Sequence, residues 1–448
     1  MIFYLFLPRN CLSQSPGPVE NSILQTPSFP SFTRKMRKYL PKIRAWYLVV
    51  LILTAAVYLF NKYYISGPLP AVALITNGQG LAFSGSASCV TCHKDIYEGH
   101  IHTAHYLDSR PASGRYIKGS FDSGKNIFAY SAEKEVLMQR QGDRFFQTAM
   151  ISGKISETHP FDIVIGSGRK GQTYLYWNNG ELFQLPISYY TALDTWCNSP
   201  GYPNYAIYTR PASAYCLECH TTYAAAEERR QGTGEVLDSN RIIYGIDCER
   251  CHGPGAEHVA FQQKNPKETT GRYIRNTASM SRQQKLDACA LCHSGSRFPL
   301  QAAFSFTVGD TLSRFSFPNY KNDETKDLDV HANQVGLLSA SKCFQSSQMT
   351  CSSCHNVHNN EAGRISLYSQ RCMTCHNERT KDTCRVTQHP GLVLADNCID
   401  CHMPALPSQK IQLDLSKADR PVHDLVRTHR IAIYPTAPPA GASHRPHP

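Results

Sequence analysis

The chain has 448 residues, a length that allows two or three ordinary domains. Its formal net charge of +11 would suit a nucleic-acid partner, but stretches that combine basic and aromatic side chains are absent, which argues against that class. Only 41% of the residues are hydrophobic, whereas 18 are cysteines, so the cysteines need an explanation before the core does.

The first structural signal along the chain is an uncharged apolar run at 45–60, AWYLVVLILTAAVYLF. Basic residues precede it and the aromatic pair Tyr63-Tyr64 follows. Because about 20 residues cross a bilayer with the basic flank in the cytoplasm, we predict a transmembrane signal anchor over 45–65. The preceding 1–44 would be a cytoplasmic tail, and the protein would be single-pass, facing the periplasm at the inner membrane. The alternative is a signal peptide cleaved near Ala71-Val72-Ala73.

A Gly/Ser-rich linker over 66–88 leads to the pentapeptide Cys-x-x-Cys-His, which then recurs until the chain holds seven copies. We number them motif 1 to motif 7 in chain order. Their cysteines are Cys89, Cys92, Cys216, Cys219, Cys248, Cys251, Cys289, Cys292, Cys351, Cys354, Cys372, Cys375, Cys398 and Cys401. Their histidines are His93, His220, His252, His293, His355, His376 and His402.

This spacing is that of covalent haem attachment. The two thiols form thioethers with the vinyl groups of one haem, and the adjacent imidazole becomes the proximal iron ligand. Structural zinc also uses paired Cys-x-x-Cys units, but it gives no reason for a histidine after every second cysteine. The sequence therefore predicts seven covalently bound c-type haems, which would supply much of the interior and whose propionates would offset the basic charge.

Motif 1 opens a haem 1 segment over 89–120, and a long gap then separates His93 from His220. The gap contains β-branched and aromatic runs, with hairpin signals at Gln141-Gly142-Asp143 and Asn178-Asn179-Gly180. We predict a β-rich insert at 121–190, a haem 2–7 core at 191–432 and a disordered tail at 433–448. The predicted fold is a mainly α or irregular multihaem cytochrome c with a small β-rich insert and an N-terminal transmembrane helix.

A haem that only carries electrons needs a second strong axial ligand, and 12 of the 19 histidines lie outside the motifs. His358 lies three residues after His355, too close to cross its own haem, so we expect it to bind a neighbouring iron. His105 is chosen over His100 and His102, and His423 is held in reserve for His429. The predicted distal ligands are His105, His258, His331, His358, His429 and, each before a proline, His389 and His159.

Four cysteines lie outside the motifs: Cys11, Cys197, Cys343 and Cys384. Cys11 belongs to the N-terminal tail and is expected to be a free thiol. In an oxidising compartment Cys343 and Cys384 could form a disulfide, with two buried thiols as the alternative.

Phrases around the motifs, "SCVTCHKDIYEGHIHTAHYLDSRPAS", "CERCHGPGAEHV", "MTCSSCHNVH" and "CIDCHMP" followed by "THRI", resemble multihaem cytochromes c related to hydroxylamine oxidoreductase and the ammonia-oxidiser tetrahaem cytochrome. The resemblance implies stacked haem pairs, a mostly helical fold and distal roles for His105 and His258. The chain departs from the family in having seven motifs, where the oxidoreductase branch has eight. It also lacks the Cys-x-x-Cys-Lys of the nitrite reductase branch.

The leading functional prediction is an exported, membrane-anchored carrier that moves electrons along closely spaced, mostly bis-histidine haems. Its partners would be redox proteins or a quinol-oxidising donor in the membrane, with an oligomer left open and no nucleic acid. The alternative is an oxidoreductase that acts on a small nitrogen or sulfur compound at one open-faced haem. No catalytic residue is assigned, and carrier is favoured over catalyst.

Overall fold

The computed structural model describes residues 40–60, 74–228, 235–318, 328–377, 397–416, 418 and 420–434. The chain divides into one unit that ends at Ala73 and a second that begins at Leu74. The helices are α1 (Leu40–Phe60), α2 (Lys94–His100), α3 (Ala214–Glu218), α4 (Cys248–His252), α5 (Ala256–Lys264), α6 (Arg282–His293), α7 (Gln334–Ser339), α8 (Lys342–Gln345), α9 (Ile365–Met373) and α10 (Ile399–His402).

The strands are β1 (Ser109–Pro111), β2 (Ile127–Ala129), β3 (Lys134–Gln141), β4 (Arg144–Ile151), β5 (Lys154–Pro160), β6 (Ile163–Ile165), β7 (Gly171–Asn178), β8 (Glu181–Gln184), β9 (Ile187–Tyr190), β10 (Thr195–Asn198), β11 (Arg210–Pro211), β12 (Thr221–Glu228), β13 (Glu235–Tyr244), β14 (Arg297–Pro299), β15 (Ser316–Pro318), β16 (Ala405–Leu415) and β17 (Val422–Arg427).

The prediction of a mainly α or irregular fold is wrong, because helix accounts for 27% and strand for 28% of the structure. The predicted haem 2–7 core contains two antiparallel hairpins, β12–β13 and β16–β17, that the sequence interpretation missed. We expected the haems to supply much of the interior of this region. Instead, β-branched runs such as Arg241–Tyr244 pair into ladders between the motifs.

The predicted transmembrane anchor at 45–65, the membrane attachment through it and the single-pass, periplasm-facing localisation are also wrong. Among the described residues, no helix is both long and apolar enough to cross a membrane. The described part of this region is helix α1, Leu40–Phe60. The uncharged run of 45–60 rises only about 24 Å as a helix, less than the hydrocarbon thickness of about 30 Å.

Two antiparallel sheets form most of the region between motif 1 and motif 2. One has the order β2-β3-β4-β5, and the other follows β1-β6-β7-β9-β10-β16-β17, with β8 paired to β7 and β11 to β8. Both predicted hairpins are confirmed: Gly142 and Asp143 join β3 to β4, and Asn179 and Gly180 join β7 to β8. Asn179 and Gly180 both have positive φ, 51° and 81°, as a tight two-residue hairpin turn requires.

Side chains from both sheets meet in one aromatic-rich cluster. Val136 and Met138 come from the four-stranded sheet, and Tyr174, Tyr189 and Trp196 come from the larger one. These side chains form an apolar core between the two sheets.

The β16–β17 hairpin that follows motif 7 is an outer part of the same large sheet, since Cys197 of β10 pairs with Leu415 of β16. Asp424 of β17 is buried and accepts hydrogen bonds from Lys170 Nζ to both carboxylate oxygens, at 2.9 Å each, and from the Tyr190 hydroxyl at 2.7 Å. These charged hydrogen bonds hold the segment that follows motif 7 against the β insert.

We expect Asp424→Ala to lower the melting temperature by about 2–6 °C, because it removes charge-assisted hydrogen bonds that are worth about 1.5–3 kcal/mol. Thermal unfolding followed by far-ultraviolet circular dichroism measures the shift. The control is Asp143→Ala. It removes a fully exposed carboxylate whose ion pair with Arg140 is long, at 3.8 Å, and therefore weak. Equal melting temperatures for the two variants would contradict the role given to Asp424.

Candidate haem centres

The attachment motifs are built on single helical turns. Motif 3 is helix α4, which the Asp247 side chain caps by accepting from the Cys248 N–H. Motif 4 ends α6, whose start is fixed by a reciprocal pair of bonds between Ser281 and Gln284. In motifs 1, 5, 6 and 7 the histidine N–H donates to the carbonyl of the first cysteine, at 2.9–3.1 Å. One such turn places both cysteines and the histidine on the same face.

Four proximal histidines have their Nδ1 atom within 3.3 Å of a hydrogen-bond partner. His220 Nδ1 lies 2.9 Å from Asp108 Oδ2, and His293 Nδ1 lies 3.3 Å from Gln334 Oε1. The Nδ1 atoms of His252 and His402 contact backbone carbonyls at 2.9 and 3.0 Å. A histidine that binds a metal through Nε2 commonly donates its Nδ1–H in this way, so these residues fit the iron ligands that the motifs require.

Three of the predicted distal histidines face a proximal histidine from another part of the chain. Two imidazoles that bind one metal from opposite sides, at about 2 Å each, have ring centroids about 6 Å apart. The centroid distances are 6.2 Å for His252 and His358, 6.0 Å for His293 and His105, and 6.2 Å for His355 and His429. Each separation therefore fits one iron between the two rings.

The protonation state of these distal histidines also suits iron. Burial lowers the pKa of His105 and of His429 to about 4, and it lowers the pKa of His358 as well. Neutral imidazole, the form that binds a metal, is thus favoured near neutral pH. His220, a proximal histidine, differs. Burial disfavours its charged form, but the hydrogen bond and the charge of Asp108 outweigh burial and raise its pKa.

The other predicted distal ligands are placed differently. His258 is half-buried and its Nδ1 lies 2.8 Å from the Arg272 carbonyl oxygen, which leaves Nε2 for another partner. His331 is exposed, and its backbone N–H donates to Asp329. His389 lies outside the described residues. So does Cys384, one half of the predicted disulfide, while the other half, Cys343, is half-buried.

His159 lies in strand β5 among side chains of the β insert. Its ring centroid is 4.2 Å from that of Tyr176 and 4.4 Å from that of Tyr208, and its Nε2 is 3.0 Å from the Glu157 carboxylate. The structure therefore surrounds this predicted ligand with aromatic rings and a carboxylate.

Two further histidines hold positions that the sequence interpretation did not give them. His100 is 7% exposed, and within the described ranges neither of its ring nitrogens has a hydrogen-bond partner. Its ring centroid lies 6.3 Å from that of His358. Gly99 carries the helix to that place, since a Cβ there would lie 2.6 Å from the His358 carbonyl oxygen. His423, earlier a reserve, is half-buried with its Nδ1 2.7 Å from the Ser408 carbonyl oxygen.

Cysteines of different motifs lie side by side. The thiols of Cys89 and Cys248 are close enough for a hydrogen bond, which joins motif 1 to motif 3. Cys219 and Cys292 join motifs 2 and 4 in the same way, and a third contact links motifs 4 and 5, between Cys289 and Cys351.

Motifs 5 and 6 are joined by an ion pair. The Arg371 guanidinium, next to the first cysteine of motif 6, donates to both carboxylate oxygens of Glu361, at 2.6 and 2.7 Å, and to the Cys354 carbonyl at 2.6 Å. Glu361 also accepts from the Asn356 N–H, just after motif 5. The segments around the two motifs are thus held together by charged hydrogen bonds.

Comparison with known proteins agrees with these motifs. Residues 204–253, which include motifs 2 and 3, match the family described as cytochrome c554 and c-prime. Over 200 residues the chain is 23% identical to the multihaem cytochrome MtrA of Shewanella baltica (strain OS185). The chain is similar to multihaem c-type cytochromes.

The match to MtrA covers 44% of this chain and 47% of MtrA, so the chain spans less than half the length of that relative. The crystal structure of the outer cell wall cytochrome OcwA aligns with a TM-score of 0.47 and 15% identity, over 78% of this chain and 79% of OcwA. These matches do not specifically support a relation to hydroxylamine oxidoreductase or to the tetrahaem cytochrome of ammonia oxidisers.

The contact between His220 and Asp108 predicts a shift in one redox potential. A carboxylate that accepts from Nδ1–H makes the imidazole a stronger donor, which favours ferric iron. Asp108→Asn should therefore raise the midpoint potential of one haem, while Asp143→Asn, at an exposed turn, should raise none. Potentiometric titration followed by visible absorption measures both, and an unchanged titration curve for Asp108→Asn would count against His220 as an iron ligand.

Proposed function

We propose that this cytochrome is a heptahaem electron carrier with mostly bis-histidine haems. The observation that carries the proposal is the set of three imidazole pairs whose ring centroids lie 6.0–6.2 Å apart across separate segments. Haem iron supplies a one-electron redox centre, and a second strong ligand keeps it a carrier instead of an open binding site.

These pairs support a choice of ligands for three haems. His252 and His358 would hold haem 3, and the parallel planes of their rings, 15° apart, are compatible with one shared iron. His293 and His105 would hold haem 4, and His355 and His429 would hold haem 5. His358 thus follows motif 5 but serves haem 3, which ties two haems into one unit.

The closeness of thiols from different motifs implies that their haems are close enough for electron transfer. Contacts join motif 1 to 3, motif 2 to 4 and motif 4 to 5, and the Arg371–Glu361 ion pair joins motif 5 to 6. His358 adds the link from motif 3 to motif 5. Motifs 1 to 6 therefore belong to one connected set, in which an electron that enters at one haem has a near neighbour to move to.

The other distal ligands and the partners remain predictions. His258 has the best support among the unpaired candidates because its Nδ1 is engaged and its Nε2 is left over. The partners would be other redox proteins, in keeping with the multihaem cytochrome MtrA and the cell wall cytochrome OcwA as similar chains. An oxidoreductase with one open haem, as the resemblance to hydroxylamine oxidoreductase suggested, requires a haem that lacks a second strong ligand.

His358→Ala tests the proposal. The variant should keep seven haems by intact mass spectrometry, since thioether bonds do not need the distal ligand, while one haem becomes high-spin because it loses an imidazole. Electron paramagnetic resonance (EPR) of the oxidised protein detects the change.

The matched control is His102→Ala, which removes an exposed histidine three residues before His105. The proposal is wrong if His358→Ala keeps an entirely low-spin spectrum. A high-spin haem in the unaltered protein would favour the oxidoreductase, and fewer than seven haems would contradict the count.

A further inference from the structure

The two variable residues of an attachment motif do not bind the haem, yet in two motifs one of them is a buried acid. Glu249 in motif 3 is 5% exposed, and Glu218 in motif 2 is 2% exposed. A buried carboxylate is costly unless its oxygens are satisfied. In both cases some of the partners that satisfy it lie on the segment that carries another motif.

Glu249 gathers backbone donors from two distant parts of the chain. Its Oε1 accepts from the N–H groups of Ser84 at 2.8 Å and Gly255 at 2.7 Å, and its Oε2 accepts from the Gly85 N–H at 2.9 Å. No cation is involved in these contacts, which resemble the backbone nests that hold anions.

The donors on one side lead directly into motif 1. Gly85 has a φ of 74° and starts the single 3-10 turn that ends at Cys89. The Ser88 hydroxyl donates to Ser84 Oγ at 2.9 Å and to the Gly85 carbonyl at 2.7 Å, so the turn is fixed up to the residue before the cysteine. On the other side, Gly255 precedes helix α5, which carries His258. One carboxylate therefore sets the position of motif 1 relative to motif 3.

Glu218 does the same for motifs 2 and 4. It forms an ion pair with Arg297 and accepts from the Phe304 N–H at 2.7 Å, and both partners lie on the segment that follows motif 4. The two pairs of motifs joined by these acids, 1 with 3 and 2 with 4, are the same two pairs whose cysteine thiols are neighbours.

We propose that Glu249 and Glu218 are positioning residues that fix the spacing of haem pairs 1–3 and 2–4, and so the electronic coupling within each pair. The inference rests on the proposed function, because it assumes that each motif carries its haem. Residues at the variable positions of the motif would then fix the position of one haem relative to another.

Glu249→Gln tests the inference in the full-length, haem-loaded protein. The amide keeps the shape of the side chain but presents an NH₂ group to backbone N–H donors, so donors face donors. Haem count should stay at seven. EPR should lose the spin-coupled signal of one haem pair and gain the ordinary low-spin signals of two uncoupled haems.

The matched control is Glu257→Gln, an exposed acid two residues from Gly255 on α5, which should leave the spectrum unchanged. Glu218→Gln should uncouple a different pair, so the losses of the two variants should add. Glu249→Asp keeps the charge but is one methylene shorter, and it should lose coupling even if Glu249→Gln fails to mature.

A Glu249→Gln or Glu249→Asp protein that has seven haems, a lower melting temperature and an unchanged spin-coupled signal would overturn the inference, because the carboxylate would then only stabilise the fold. The proposed function would stand in that case. Fewer than seven haems in the unaltered protein would instead contradict the proposed function itself.

Discussion

A haem bound through Cys-x-x-Cys-His receives one axial ligand from its own motif, so a second imidazole has to come from another segment. This constraint governs the arrangement of the chain around the motifs. His105, His358 and His429 each approach a motif other than the nearest one in sequence, and each approach brings two remote segments within about 6 Å. Helices of 4 to 12 residues, such as α8 and α6, are too short to be stable alone and need such tertiary ties.

The β component answers a different requirement. Motifs 1 and 2 are far apart in sequence, and the chain between them forms sheets with an aromatic-rich core that contains Tyr174 and Trp196. The large sheet also includes the hairpin that follows motif 7, and Asp424 with Lys170 and Tyr190 secures it. A core of protein side chains thus gives a fixed reference for both ends of the haem-bearing segment.

Sequence reasoning succeeded where chemistry is local. The attachment spacing follows from covalent bonding, and the turn at Asn179-Gly180 follows from two consecutive positive φ angles. It failed where the local signal is weak or the outcome depends on distant partners. The hairpins β12–β13 and β16–β17 were missed because neither has an Asn-Gly turn, and TTYAAAEE in β12 has too many alanines to signal a strand.

The same limit applies to the ligands. The positions of His105, His358 and His429 could be chosen from their neighbours in sequence, but which proximal histidine each one faces could not. His100 was passed over because burial decides its importance, and burial of a short helix end is set by packing, here by the close approach at Gly99. The apolar run at 45–60 favoured a membrane span by composition, whereas the described helix stops at Phe60.

The central claim is that irons are held between imidazoles from different segments. Crystals of the haem-loaded protein, measured at the iron absorption edge, locate every iron independently of any assumed ligand. The account predicts seven iron peaks, with one between His252 and His358, one between His293 and His105, and one between His355 and His429. An iron bound to His252 with the His358 ring turned away from it would contradict the account.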